Sequence, residues 1–238
     1  DLYVNDAFAA AHRSQASLVG FGITIPTAAG RLMEREIEGL KKARNPTHPS
    51  VYVLGGAKVD DALNLINNII SDGIADKILT GGLLANVFLA GDGHELGETN
   101  SEILYKKGYR EEFSKAKRLL DKYEDKIEIP VDLRVENKNG KEELVEVENL
   151  PTENPIYDIG DKTVDRYSDI IINEAGTIFG KGPQGLFEKP PFDTGTNGIN
   201  RAIAQSEAYT TIGGGHLVAS ARKLGITDKI DHISTGGG

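Results

Sequence analysis

Three short apolar runs in this chain end in paired or tripled glycines: Gly55-Gly56 after Val51–Leu54, Gly213-Gly214-Gly215 after Thr210–Ile212, and Gly236-Gly237-Gly238 after Ile230–Ser234. A fourth pair, Gly81-Gly82, follows Lys77–Leu79, and a fifth run, Thr177–Phe179, leads into Lys181-Gly182-Pro183. Glycine at a strand end lets the backbone approach a ligand closely, and N–H groups at the start of the next helix can cradle a phosphate. Any one of these turns also reads as a tight strand-to-helix connection. Several on one edge of a parallel sheet read as a nucleotide crevice, because ligands of open α/β sheets bind beyond the carboxyl ends of the strands. No turn matches the P-loop lysine pattern and no GxGxxG opens a helix. A Walker-type ATPase is therefore unsupported, and a dinucleotide dehydrogenase, which would also need an acidic ribose ligand downstream, is rejected.

The elements that position these glycines alternate in type. Helical patterns over Asp60–Ile70, Glu111–Tyr123, Thr163–Glu174 and Asn197–Glu207 separate the β-branched runs. That alternation predicts βαβ units and a Rossmann-like, three-layer α/β fold around a parallel sheet. Near the start, Leu32, Ile37 and Leu40 recur among charged residues, which predicts an amphipathic helix over Thr27–Arg44. Asn45-Pro46 ends it. One segment departs from the alternation: Asp132–Val135 and Leu144–Val147 flank Asn139-Gly140, a hairpin signal, so an antiparallel excursion is expected there.

Composition narrows the function classes. With 39% hydrophobic and 26% charged residues over 238 positions, the chain can bury a core and holds one large α/β domain, alone or with a piece of another. A net charge of −9 argues against a nucleic-acid partner but not against a phosphate ligand, which needs only a few local cations. The absence of cysteine excludes disulfides, a thiolate nucleophile and a zinc–thiolate site. Neither a transmembrane-length apolar run nor a signal peptide is present, so a soluble, cytoplasmic protein without a membrane partner is expected. His48, His94 and His232 show no metal-ligand spacing. The chain opens at Asp1 without Met and closes on a glycine run, which reads as a fragment truncated at both ends.

Five motifs in register resemble the phosphoglycerate kinases. They are Val4-Asn5-Asp6-Ala7-Phe8 with Ala11-His12-Arg13, Leu54-Gly55-Gly56-Ala57-Lys58-Val59, Gly182-Pro183-Gln184-Gly185-Leu186-Phe187-Glu188, the triple glycine at Gly213, and Ser234-Thr235-Gly236-Gly237-Gly238. The similarity runs the whole length of the chain. It implies reversible phosphoryl transfer between ATP and 3-phosphoglycerate, with Mg²⁺ accompanying ATP or ADP. It also implies three parts: residues 1–26 as the end of a phosphoglycerate-binding domain, 27–45 as an interdomain hinge helix, and 46–238 as a nucleotide-binding domain lacking its final segment.

The resemblance assigns Gly55, Gly56, Lys58, Gly81, Gly82, Gly182, Pro183, Gly185, Glu188, Gly214, Gly215 and His216 to the nucleotide. Lys58 would follow charge on the transferring phosphoryl group; a cation at a helix start is otherwise unfavourable unless an anion sits there. Gly214 and Gly215 would offer backbone donors, Lys181 a further cation, and Glu188 an acceptor for a ribose hydroxyl. Arg13, with its planar fork, and His12 would hold phosphoglycerate. Three positions depart from familiar members in a way that looks archaeal: Ala62 where many have lysine, Lys181 where they have asparagine, and His216 where an aspartate helps hold Mg²⁺. Because Mg²⁺ prefers oxygen ligands, the metal ligands stay unassigned. A non-catalytic adenine-nucleotide-binding module of the same fold is the alternative.

Overall fold

The computed structural model describes Asp1–Gly236; Gly237 and Gly238, the end of the last glycine run, lie outside the described residues. The chain begins with a small parallel pair, β1 (Tyr3–Asn5) and β2 (Thr27–Ala29), joined through the short helices α1 (Ala16–Val19) and α2 (Phe21–Thr24). Helix α3 (Arg31–Arg44) follows. The predicted helix therefore starts at Arg31 and not at Thr27. Thr27–Ala29 instead complete the pair with Tyr3–Asn5, and the Asp6 carboxylate accepts the Met33 N–H at 2.8 Å, one of the donors a helix start leaves without an intrahelical partner.

Beyond α3 the chain alternates as expected: β3 (Ser50–Leu54), α4 (Val59–Ser71), β4 (Lys77–Thr80), α5 (Gly82–Gly91), α6 (Glu98–Lys106), α7 (Glu112–Tyr123) and β5 (Ile127–Glu128). The antiparallel excursion is present. Strands β6 (Asp132–Glu136) and β7 (Glu142–Glu146) pair around a turn containing Gly140 (φ 73°), and β8 (Ile156–Ile159) adds an unanticipated third strand on the other side of β6. Helix α8 (Asp161–Asp169) begins on the Asp132 carboxylate, which accepts the N–H groups of Lys162 (3.0 Å) and Thr163 (2.8 Å). The predicted helix to Glu174 ends differently, as a π-helical turn over Ile170–Glu174. Strand β9 (Thr177–Lys181), α9 (Thr194–Gln205), β10 (Tyr209–Gly213), α10 (Gly215–Lys223) and β11 (His232–Ile233) complete the chain.

Six strands form one parallel sheet in the order β11-β10-β9-β3-β4-β5. Both faces are covered, and β3 shows why. Its alternating residues divide between two cores: Tyr52 and Leu54 pack with α4, α5 and α7, while Val51 and Val53 pack with α8, α9 and α10. Strand β11 is shorter than the predicted Ile230–Ser234, because the Asp231 side chain turns to accept the Thr210 N–H (2.8 Å). Helix α3 is fastened to this end of the sheet. The buried Glu36 accepts the N–H and hydroxyl of Thr235, both at 2.6 Å, and lies 3.0 Å from His232 Nε2. Among the described residues no helix is long and apolar enough to cross a membrane.

Candidate functional site

Strand order reverses at β3 and β9: the chain adds β4 and β5 on one side of β3, then returns to lay β9 and β10 on the other. In open α/β sheets this switch point opens the ligand crevice. Here Leu54 and Gly213 both lie beside Lys181 in register, so three glycine-bearing turns leave the sheet together. The backbones of two of them pass too closely for side chains. A Cβ on Gly55 would collide with the Pro183 carbonyl, and one on Gly182 with the Gly55 carbonyl. Gly81 abuts the Gln184 side chain in the same way.

The N–H groups here are largely committed. Gly55 donates to Lys181 O (2.9 Å), Gly81 to Leu54 O (2.9 Å) and Gly82 to Gln184 O (2.7 Å). The loop Gly182–Leu186 is itself stitched down, Gln184 N–H donating to Thr196 Oγ1 of α9 at 2.9 Å. Packing thus accounts for these glycines. Gly214 and Gly215 differ. Gly214 adopts φ 86°, and a Cβ on Gly215, at the start of α10, would meet nothing within 4 Å. Neither packing nor a left-handed backbone demands glycine at 215; the space before it is open.

That space belongs to a cleft of about 610 Å³. Gly55, Gly56, Lys58, Gly82, Lys181, Gly182, Pro183, Gly185, Glu188, Gly214, Gly215 and His216 all face it, whereas Gly81 does not. Lys58 is exposed at the start of α4. Lys181 is half-buried, and its pKa is lowered, first by that burial and then by the Lys58 charge, with Asp61 opposing. Neither lysine forms an ion pair among the described residues. Glu188 is not a partner of Lys181; it lies 3.2 Å from His216 Nε2, whose ring leans on Phe187. Ala62 is buried in the core beneath α4 and does not reach the cleft. A lysine at that position and Lys181 would thus start from different surroundings.

His12 and Arg13 are exposed and lie against each other (3.4 Å), away from the cleft walls. Sequence reasoning also missed a titratable residue of the cleft wall. Asp158, on β8, is buried, and its pKa is pushed up to about 7, chiefly by that burial. The N–H groups of Gly195 (2.7 Å) and Ile159 (2.9 Å) and the Arg134 charge pull it down, while Asp193 pushes it further up. The available signal was an acid inside the apolar run Ile156–Ile159.

The family model described as phosphoglycerate kinase matches residues 1–238. The chain belongs to the phosphoglycerate kinase family. It is 53% identical to the phosphoglycerate kinase of Methanothermus fervidus over 239 residues and 49% identical to that of Pyrococcus abyssi over 242, each match covering all of this chain and 58% of the relative. The crystal structure of phosphoglycerate kinase from Pyrococcus horikoshii superposes with a TM-score of 0.92 at 43% identity, covering all of this chain and 59% of that one. The enzyme from Coxiella burnetii superposes at 0.87 with 32% identity, over 61% of its chain. The chain thus spans about 58% of the length of the curated relatives it matches.

Membership bears out the family resemblance, its archaeal cast and the fold class, and it implies Mg²⁺ with adenine nucleotide. Among the described residues no three His, Asp or Glu side chains gather closely enough to hold an ion, and Mg²⁺ at phosphate sites commonly takes only one or two protein carboxylates.

Proposed function

We propose that the cleft binds ADP or ATP, and that this chain supplies the nucleotide-binding part of an enzyme transferring a phosphoryl group reversibly between ATP and 3-phosphoglycerate. The observation that carries this reading is two lysines, Lys58 and Lys181, that form no ion pair among the described residues, Asp61 acting on Lys181 only through space, and that share one cleft with the open backbone of Gly214-Gly215. Two neighbouring ammonium groups beside a helix N-terminus repel one another unless an anion joins them. Phosphates supply that anion.

The acceptor in this reaction is a carboxylate, ionised at neutral pH, so no general base is required. Catalysis then consists of positioning and of cations around the transferring group. Lys58 follows that group, Lys181 stands beside it, and the N–H groups of Gly214 and Gly215 bind its oxygens. Glu188 takes the ribose after releasing His216. No residue is assigned to Mg²⁺, which would neutralise phosphate charge when bound with the nucleotide. His12 and Arg13 contribute to holding phosphoglycerate, which this chain alone holds weakly. We assign residues 1–26 to the phosphoglycerate-binding side and the α3 region to the hinge about which the two sides close.

Titrating this chain with ADP by calorimetry, then assaying it in a coupled reaction with ATP and 3-phosphoglycerate, tests both halves. Binding without appreciable turnover is expected, because positioning accounts for about 7–11 kcal/mol of such a barrier and is missing without closure. A folded chain that ignores ADP overturns the nucleotide reading, and full turnover overturns the division of labour.

A further inference from the structure

The cleft is unevenly charged. Lys58, Lys181 and Lys107, which caps the end of α6, all line it, and none of the three forms an ion pair among the described residues. Two carboxylates line it, Asp158 and Glu188, and both are engaged. The buried Asp158 accepts the Ile159 N–H on Oδ1 (2.9 Å) and the Gly195 N–H on Oδ2 (2.7 Å). Glu188 lies 3.2 Å from His216 Nε2 and, on the reading above, turns to the ribose when the nucleotide binds. Asp60 and Asp61, in the first turn of α4, do not line the cleft, although Asp61 acts on Lys181 through space.

His216 stands at the head of α10, next to Gly215, whose backbone faces open space. Phosphate oxygens would meet N–H donors at such a helix start. An imidazole there suits an anion better than a magnesium ion, because Mg²⁺ takes carboxylate and water oxygens in a strict octahedron. The donor set of this cleft therefore does not fit a protein-held Mg²⁺. It fits phosphate oxygens met by ammonium and N–H groups.

We infer that His216 makes the cleft select metal-free ADP over its Mg²⁺ complex, an assignment that rests on the adenine-nucleotide reading of the cleft. A divalent ion on the phosphates cancels negative charge that the lysines would otherwise meet. Where a protein carboxylate completes the ion's coordination, that loss is offset. Here no lining carboxylate is uncommitted, so the loss stands.

Calorimetry on this chain, with ADP in EDTA and then in excess Mg²⁺, tests the assignment. The wild type is expected to bind free ADP roughly tenfold tighter, the worth of one charge-assisted hydrogen bond. His216→Asp is expected to reverse the ratio. Carboxylates are favoured at helix starts, so this variant folds, and its thermal midpoint checks that it has. His216→Gln, which keeps a donor for Glu188 and adds no carboxylate, is expected to retain the preference of the wild type. A wild type that binds the two forms equally, or the Mg²⁺ complex more tightly, overturns the inference and leaves the nucleotide reading standing. So does a ratio that stays unchanged in folded His216→Asp, or one lost in His216→Gln. A reversal that vanishes in about 1 M salt, where exposed charges are screened beyond about 3 Å, means that charge and not coordination sets the ratio, and it overturns the role of His216. A folded wild type that binds neither form overturns the nucleotide reading and this inference with it.

Discussion

Asp158→Asn is expected to stabilise the chain at alkaline pH and not at acid pH. The buried carboxyl has a pKa of about 7 in the folded chain against 3.8 for the free group, so folding raises it. Between these values the folded state binds more protons than the unfolded one, and stability falls as pH rises through the window. Above pH 7 the full penalty applies, on the order of 4 kcal/mol at ~1.4 kcal/mol per pH unit. Asparagine removes the charge and keeps one acceptor for the Gly195 N–H, but it gives up the second oxygen, which takes the Ile159 N–H. That loss costs about 1 kcal/mol. The net gain at pH 8.5 is therefore roughly 2–3 kcal/mol, and most of it disappears at pH 5. Urea unfolding of wild type and variant at both pH values isolates this group, since other titrations cancel in the difference. A difference that does not change with pH, or a variant weaker at pH 8.5 than at pH 5, would refute the reasoning and mean that Arg134 keeps Asp158 ionised in the ordinary range.

Three further outcomes are expected. Lys58→Ala and Lys181→Met should each weaken ADP binding by roughly tenfold or more, charged hydrogen bonds being worth about 1.5–3 kcal/mol, and calorimetry on the double variant should show less than the sum, since the two ammonium groups share one anion. Gly55→Ala should lower the thermal midpoint, because its Cβ meets the Pro183 carbonyl, whereas Gly215→Ala should keep the midpoint within a few degrees and weaken ADP. Equal midpoints for the two alanine variants would contradict the packing account. Ala62→Lys should destabilise the chain by about 1–3 kcal/mol in urea, since the side chain enters a packed core.

Much of this architecture was legible because strand ends carry glycine and helix faces carry an apolar stripe. Strands β3, β9 and β10 and helices α4, α7 and α9 lie within a few residues of their predicted spans. Helix α5 left no such trace. Its residues Leu84–Leu89 are buried around nearly the whole circumference, so a stripe never forms and the run reads only as hydrophobic. Thr27–Ala29 looked helical because nothing local reveals a strand partner twenty-odd residues upstream. In the cleft, Lys58, Lys181 and Gly214-Gly215 were named from motif and position, and they do face one space. The Glu188–His216 contact and the raised Asp158 were illegible, because each depends on what another strand or helix places beside it.

The short loop after β9 has a consequence for how the molecule comes apart. The parallel sheet keeps the two apolar cores on opposite faces. Yet Gln184 ties Gly82, at the head of α5, to Thr196 of α9 through its own carbonyl and N–H. A ligand pressing on Gly182–Gly185 therefore tightens both halves at once, and amide exchange in α5 and α9 should slow together when the cleft is filled. Concerted slowing would mark the two layers as one cooperative unit, with the loop as their common latch.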